Sequence, residues 1–158
     1  MMSQEKQLKV ILFEMNGETY GVPVEQVLSI EKVDGITRLP NAAPFVKGVM
    51  NLRSIITPII DVRERFQMGH SKITPDSRII VVEQDEMSVG LLVDSSKEVL
   101  DIDADQLEQA PEMIGGSSAK YLSAVAKIGE DQLLLLLNLK QVLNQNDVAA
   151  LRANGVEA

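Results

Sequence analysis

Apolar positions along this chain come in short runs and alternations, each closed by a polar turn, and the pattern is that of strands. Leu8, Val10 and Leu12 open a strand that ends near Met15, and Asn16-Gly17 is the strongest hairpin signal present, because both residues tolerate positive φ. A second strand covers Tyr20 to Val22. Pro23 ends its ladder and starts one helical turn to Gln26. Val27 to Val33 is a third strand, stopped by Asp34-Gly35, and Ile36 to Pro44 reads as a loop. From Phe45 to Phe66 the pattern is strand, polar break at Asn51 to Ser54, apolar strand Ile55 to Ile60, then a helix from Val62 to about Gln67. Asp61 and Glu64 have capping-box spacing at its start, so the Glu is expected to reach back to the Asp amide. A polar connector, Gly69 to Asp76, follows.

The second half restarts with a strand from Arg78 to Glu83, a turn at Gln84-Asp85-Glu86 and the alternating strand Met87 to Val93. Val99 to Ile102 is another strand, and Asp103 with Gln106 predicts a short capped helix. Ala110 to Ala119, with Pro111 and Gly115-Gly116, reads as a loop. Tyr121 to Leu143 then repeats the earlier plan, with Asn138 in the place of Asp61 and Gln141 in that of Glu64. Leu139, Val142 and Leu143 share one face of the last helix, and Asp147 could cap a further turn.

The halves match at a nearly constant offset. Phe45 and Tyr121 lie about 76 positions apart, as do Val49 and Val125, and Asp61 and Asn138 about 77. Tyr20-Gly21-Val22 before Val27 to Ile30 answers to Val89-Gly90-Leu91 before Val99 to Ile102, at about 69 to 72. The expected fold is mainly β, with two five-stranded β-barrel subdomains related by an internal repeat, short helices and a C-terminal helix. The expected organisation is a single domain over 1–158. Its first barrel covers about 8–70 and its second about 78–137, and a terminal helix over about 138–146 packs back. A groove between the barrels is part of this expectation.

Composition narrows the chemistry. The chain has 158 residues, and aromatics make up only 3%, so aliphatic side chains must supply most of the core. A net charge of −8 argues against general affinity for nucleic acid or anionic lipid, which need clustered Lys and Arg. No Cys is present, which removes disulfides, thiolate nucleophiles and thiolate metal sites. Residues 1–9 have no apolar core of signal-peptide length, and Leu133 to Leu137 is far too short to span a bilayer. The expectation is a soluble cytosolic protein without membrane insertion.

Catalytic candidates are few. His70 is the single His and lies in the connector, which suits a solvated loop residue better than a phosphate acceptor. Asp101, Asp103 and Asp105 have the alternation of a calcium loop but lack its Gly and terminal Glu. Gly115-Gly116-Ser117-Ser118 lacks the Lys and the strand-to-helix setting of a phosphate loop. No enzyme, cofactor or metal is expected. Surface for binding remains: Arg53 at a turn tip is either a solvated residue or a contact, and Val27 and Ile30 are either core or interface.

Ile36-Thr-Arg-Leu-Pro40, Pro44-Phe-Val-Lys-Gly-Val-Met-Asn-Leu-Arg53 and Thr57-Pro-Ile-Ile-Asp-Val-Arg63 resemble the signature of the CheW family, the coupling proteins of bacterial chemotaxis. The likeness runs from about Leu8 to Leu143 and includes Tyr20-Gly21-Val22 and Gly90-Leu91-Leu92-Val93-Asp94. It implies two five-stranded barrels with a groove between them. It also implies a non-catalytic scaffold that links the cytoplasmic tip of transmembrane chemoreceptors to a histidine autokinase whose regulatory domain shares the fold. Localisation would be cytoplasmic, at receptor clusters on the inner face of the membrane. The resemblance assigns receptor binding to Val27, Ile30 and Arg53. It assigns kinase binding to a region that includes Leu39, Pro40, Ala43, Arg53 and Ser54. Ser54 stands where the family usually has Gly, so another turn type is expected there, and Ser29 stands where some relatives carry an acid. Two alternatives are a detached regulatory domain of the kinase and the adaptor half of a receiver-linked coupling protein. A small-ligand barrel would require an enclosed cavity with polar anchors.

Overall fold

The computed structural model describes residues 7–109 and 121–143. The strands are β1 (Gln7–Met15), β2 (Glu18–Pro23), β3 (Val27–Lys32), β4 (Val46–Leu52), β5 (Ile55–Asp61), β6 (Arg78–Gln84), β7 (Met87–Val93), β8 (Ser95–Asp103), β9 (Leu107–Gln109), β10 (Leu122–Lys127) and β11 (Leu133–Leu137). Short helices α1 (Val62–Arg65) and α2 (Leu139–Val142) follow β5 and β11, and 3-10 turns occupy Val24–Gln26 and Ala104–Gln106. Residues 1–6, the expected loop over 110–119 and the expected turn at Asp147 lie outside the described residues.

The mainly β, two-subdomain fold is present, but its sheets do not follow the halves of the chain. One sheet has six strands in the order β8-β1-β2-β11-β10-β9, the other five in the order β3-β6-β7-β5-β4. The division into barrels at 8–70 and 78–137 is therefore corrected, because each repeat lends its first hairpin to the other's sheet. The reason is local. Pro23 and the 3-10 turn after it carry the chain from β2 in one sheet to β3 in the other, and Asp94 marks the same crossing from β7 to β8.

The exchange keeps the repeat's symmetry. β5 runs parallel to β7 with Ile59 opposite Gly90, and β11 runs parallel to β2 with Leu136 opposite Gly21. Both glycines admit a close neighbour: a Cβ on Gly90 would lie 2.6 Å from Ile79 Cγ2, and one on Gly21 would lie 3.1 Å from Leu134 Cδ1. The Asp61 amide donates to Phe45 O at 2.7 Å and the Asn138 amide to Tyr121 O at 2.8 Å, the same bond in each repeat.

Neither sheet is a closed barrel. β8 and β9, opposite edges of the six-stranded sheet, are joined by the three-residue turn Ala104–Gln106, so that sheet must curl to bring its edges near. In the five-stranded sheet the chain after β3 reaches β4 through the Thr37–Val49 bridge, with both N···O distances at 2.8 Å.

Three apolar clusters follow from strand alternation. Ile79, Val81, Ile59 and Leu92 fill the curl of the five-stranded sheet, and Val10, Leu12, Leu134 and Leu136 fill that of the six-stranded sheet. Their neighbours along the strands, Ile80, Val82, Ile60, Ile11, Phe13 and Leu137, face the other way into a central cluster between the sheets. Strands buried on both faces read as continuous apolar runs. The chain's few aromatics gather at this centre. Phe13 stacks on Tyr20 with centroids 5.6 Å apart, Tyr20 meets Phe66 at 5.8 Å, and Phe66 stacks on Tyr121 at 5.0 Å.

Candidate partner-binding surface

The β4–β5 turn carries the first candidate. Arg53 and Ser54 have φ of 53° and 72°, so the pair makes a two-residue turn with both residues in the left-handed region, as Asn16-Gly17 and Asp85-Glu86 do. That is the type I′ geometry whose twist suits a hairpin. The different turn type expected for Ser54 is not adopted: the serine takes the glycine-like conformation, at a cost in strain.

From this turn the Arg53 side chain, 76% exposed, reaches back to β3, where its Nη2 lies 3.1 Å from Glu31 Oε2. Glu31 is much less accessible, at 20%, and its Oε2 has almost no solvent-exposed area. The contact meets an ion-pair distance without making an aligned hydrogen bond. It joins the turn to the strand that carries Val27 and Ile30, although β3 and β4 are opposite edges of the sheet.

Along β3 the side chains alternate. Val27 is half-buried and packs against the central cluster, whereas Leu28 and Ile30 are 55% and 42% exposed. A register shift between Val27 and Ser29 places Leu28 at a bulge, a common device at sheet edges. Ile55 and Ile56, just after the turn, are also exposed, at 60% and 50%. Although Ile55 to Ile60 is one apolar run, only the residues from Thr57 onward are buried.

The loop candidates occupy another region. Leu39 and Ala43 line an open groove of about 900 Å³ together with Arg38, Lys47, Asp61 and His70. Pro40, Arg53 and Ser54 are not among its lining residues. The fold thus brings Arg53 to Glu31 on β3, the strand that also carries Val27 and Ile30, but does not gather the five kinase-assigned residues around one groove.

Behind the groove Asp61, only 2% exposed, accepts from the Ser71 amide at 3.0 Å, the Ser71 hydroxyl at 2.5 Å and the Glu64 amide at 3.4 Å. The expected reciprocal half of the capping box is not made. The Asp61 amide is taken by Phe45 O, and Glu64 turns instead to His70, with Oε1 3.4 Å from Nδ1. Nearby, Arg63 grips Asp94 with two bonds of 2.9 and 2.8 Å, and the Asn16 amide adds a third at 2.9 Å. The Arg63 hydrogen bond pulls the Asp94 carboxyl below its ordinary pKa against the opposing effect of burial, with the Asn16 amide assisting.

Among the described residues no group of three His, Asp or Glu side chains could hold a metal ion, and no helix is long and apolar enough to cross a membrane. Sequence reasoning missed Glu31, Leu28 and the exposure of Ile55 and Ile56. The signal for Glu31 was its place two residues beyond Ser29 on β3, an alternation that puts the two on one face.

Known proteins agree with this architecture. The family profile of the CheW-like domain matches residues 9–147. The chain is 35% identical over 137 residues to the chemotaxis protein CheW of Bacillus subtilis, covering 87% of each chain. It is 32% identical over 139 residues to that of Klebsiella aerogenes, covering 88% of this chain and 83% of that one. Its fold is similar to the crystal structure of the scaffolding protein TtCheW from Thermoanaerobacter tengcongensis, with a TM-score of 0.80 and 31% identity over 90% of this chain and 96% of that one. The chain therefore belongs to the CheW-like family.

Proposed function

We propose that this protein is a non-catalytic adaptor that couples the cytoplasmic tip of chemoreceptors to the regulatory domain of a chemotaxis histidine kinase. The observation that carries the reading is the family match over residues 9–147, which spans both sheets. The β3 edge with Val27 and Ile30, joined by Arg53, is the receptor-facing surface in this proposal. Leu39, Pro40, Ala43 and Ser54, with Arg53 shared, belong to the kinase-facing region. The work is geometric: a receptor whose states differ in their contacts to the adaptor biases the kinase by that difference. The working location is the cytoplasm, at receptor clusters.

Calorimetric titration against the kinase regulatory domain from the same organism tests this. A Kd at or below micromolar, about −8 kcal/mol, supports it, with a receptor-tip fragment then binding the complex. Absence of heat at two temperatures would remove the kinase from the proposal.

A further inference from the structure

Glu31 has a carboxylate oxygen with almost no exposed area, and no described group makes an aligned hydrogen bond to it. The cation it faces is the Arg53 guanidinium, 3.1 Å away. With the guanidinium beside it this oxygen is almost shut off from water, so the cation is what offsets its charge in the folded chain, as a weak, largely exposed ion pair. Arg53 itself is mostly exposed, and a guanidinium carries five N–H donors in a planar fork, so one edge can face Glu31 while others face outward. Without this tether a long side chain at a turn tip would sweep freely.

We infer that Glu31 is a positioning residue: it holds the Arg53 guanidinium against the β3 edge, so that the basic group of the β4–β5 turn is presented to the receptor in a fixed place. This rests on the proposed receptor role of Arg53 and adds how that residue is aimed. Ile30 and Glu31 are neighbours on β3 with opposite orientations, so the arginine is held on the side of the strand that faces Ile79 and not on the side of Ile30. The partner chemistry that fits the outward N–H groups of the guanidinium is a carboxylate.

The test is a double-mutant cycle on the full chain, titrated with a receptor-tip fragment. Glu31→Gln weakens binding by about two- to fivefold, the range an ion pair of this exposure supports. In the Arg53→Ala background the same change has no further effect, because Glu31 acts through Arg53. Glu31→Asp, which shortens the tether, gives a loss of the same sign. An undiminished Glu31→Gln loss in the Arg53→Ala background, or no loss at all, overturns the inference. Side-chain NMR of the Arg53 Nε–H group supplies an arm that needs no partner: ordered in the parent, it becomes mobile in Glu31→Gln. If the parent fails to bind the receptor tip, the proposed function falls on its own. Unchanged Arg53 order in Glu31→Gln then overturns the positioning claim separately.

Discussion

Asp61 and Asn138 occupy the same place in the two repeats, cap the same kind of helix and donate the same backbone hydrogen bond, yet they should differ greatly in what they contribute. Asn138 Oδ1 accepts from the Gln141 amide at 3.3 Å, an ordinary cap. Replacing it with Ala should cost about 1 kcal/mol. Asp61 provides the matching cap to Glu64 and also receives both the amide and the hydroxyl of Ser71, a residue only 8% exposed. Asp61→Ala therefore adds to the lost cap of about 1 kcal/mol the desolvation of two stranded Ser71 groups, for a total near 3 kcal/mol. At about 2–4 °C per kcal/mol for a chain of this size, the Tm should fall by about 6–12 °C for Asp61→Ala and about 2–4 °C for Asn138→Ala. Asp61→Asn keeps one acceptor and turns a donor toward a donor, so it should fall between them. Differential scanning calorimetry on the three variants decides the matter. Equal Tm losses at the two positions would refute the argument, since the whole difference is assigned to Ser71.

The remaining expectations are smaller. Ser54→Gly relieves a left-handed serine and should raise stability by about 0.5 kcal/mol after glycine's greater unfolded-state freedom is counted, read from the urea midpoint. Arg53→Ala should keep the fold and lose no more than about 1 kcal/mol, because its ion pair is largely exposed on the arginine side. Gly90→Ala places a methyl 2.6 Å from Ile79 Cγ2 and 2.7 Å from Ile59 Cδ1, and should cost about 1–3 kcal/mol, more than Gly21→Ala, whose nearest atom is the flexible Leu134 tip at 3.1 Å. Asp94 has a depressed folded pKa, so its contribution is present above the unfolded value of about 3.9 and is lost as the pH falls through the lower folded value. Asp94→Asn should accordingly be less stable than the parent at pH 7 and converge with it in acid; a gap that stays constant in urea titrations down to strongly acid pH would contradict this.

Strand positions, turns and the duplication were legible in the sequence because they are local. Asn16-Gly17 and Asp85-Glu86 announce their turns, and the Phe45 to Phe66 plan returns from Tyr121 to Leu143 at one spacing. β9 was missed because Leu107–Gln109 has too few residues for an alternation to show. The exchange of hairpins between repeats was not legible either. Both a repeat that closes on itself and one that swaps bury the same residues in the same strands, and what separates them is the direction the chain takes after Pro23 and Asp94. The same limit applies to the surface. Val27 and Ile30 sit in one apolar strand and, across the bulge at Leu28, pair with Val82 and Ile80 on the same side of the sheet, yet only Val27 packs against the central cluster while Ile30 is left exposed, a difference set by tertiary packing.

The centre of the molecule shows where duplication stops being symmetric. The guanidinium of Arg65 stacks 4.6 Å from the Phe45 ring and 4.9 Å from the Tyr121 ring, which are equivalent residues of the two repeats. Its Nε donates to Val142 O at 3.0 Å and Nη2 to Gln141 O at 3.4 Å, and Val142 is the position that answers to Arg65 at the repeat's spacing. One repeat thus sends a cation across the interface to the C-terminal end of the other's helix, where carbonyls lack intrahelical partners. The other repeat presents a buried valine there. Two arginines would bring like charges together between the same rings, and two valines would leave the α2 carbonyls without this donor. The asymmetry that separates the two like halves is thus already present in the packing that joins them.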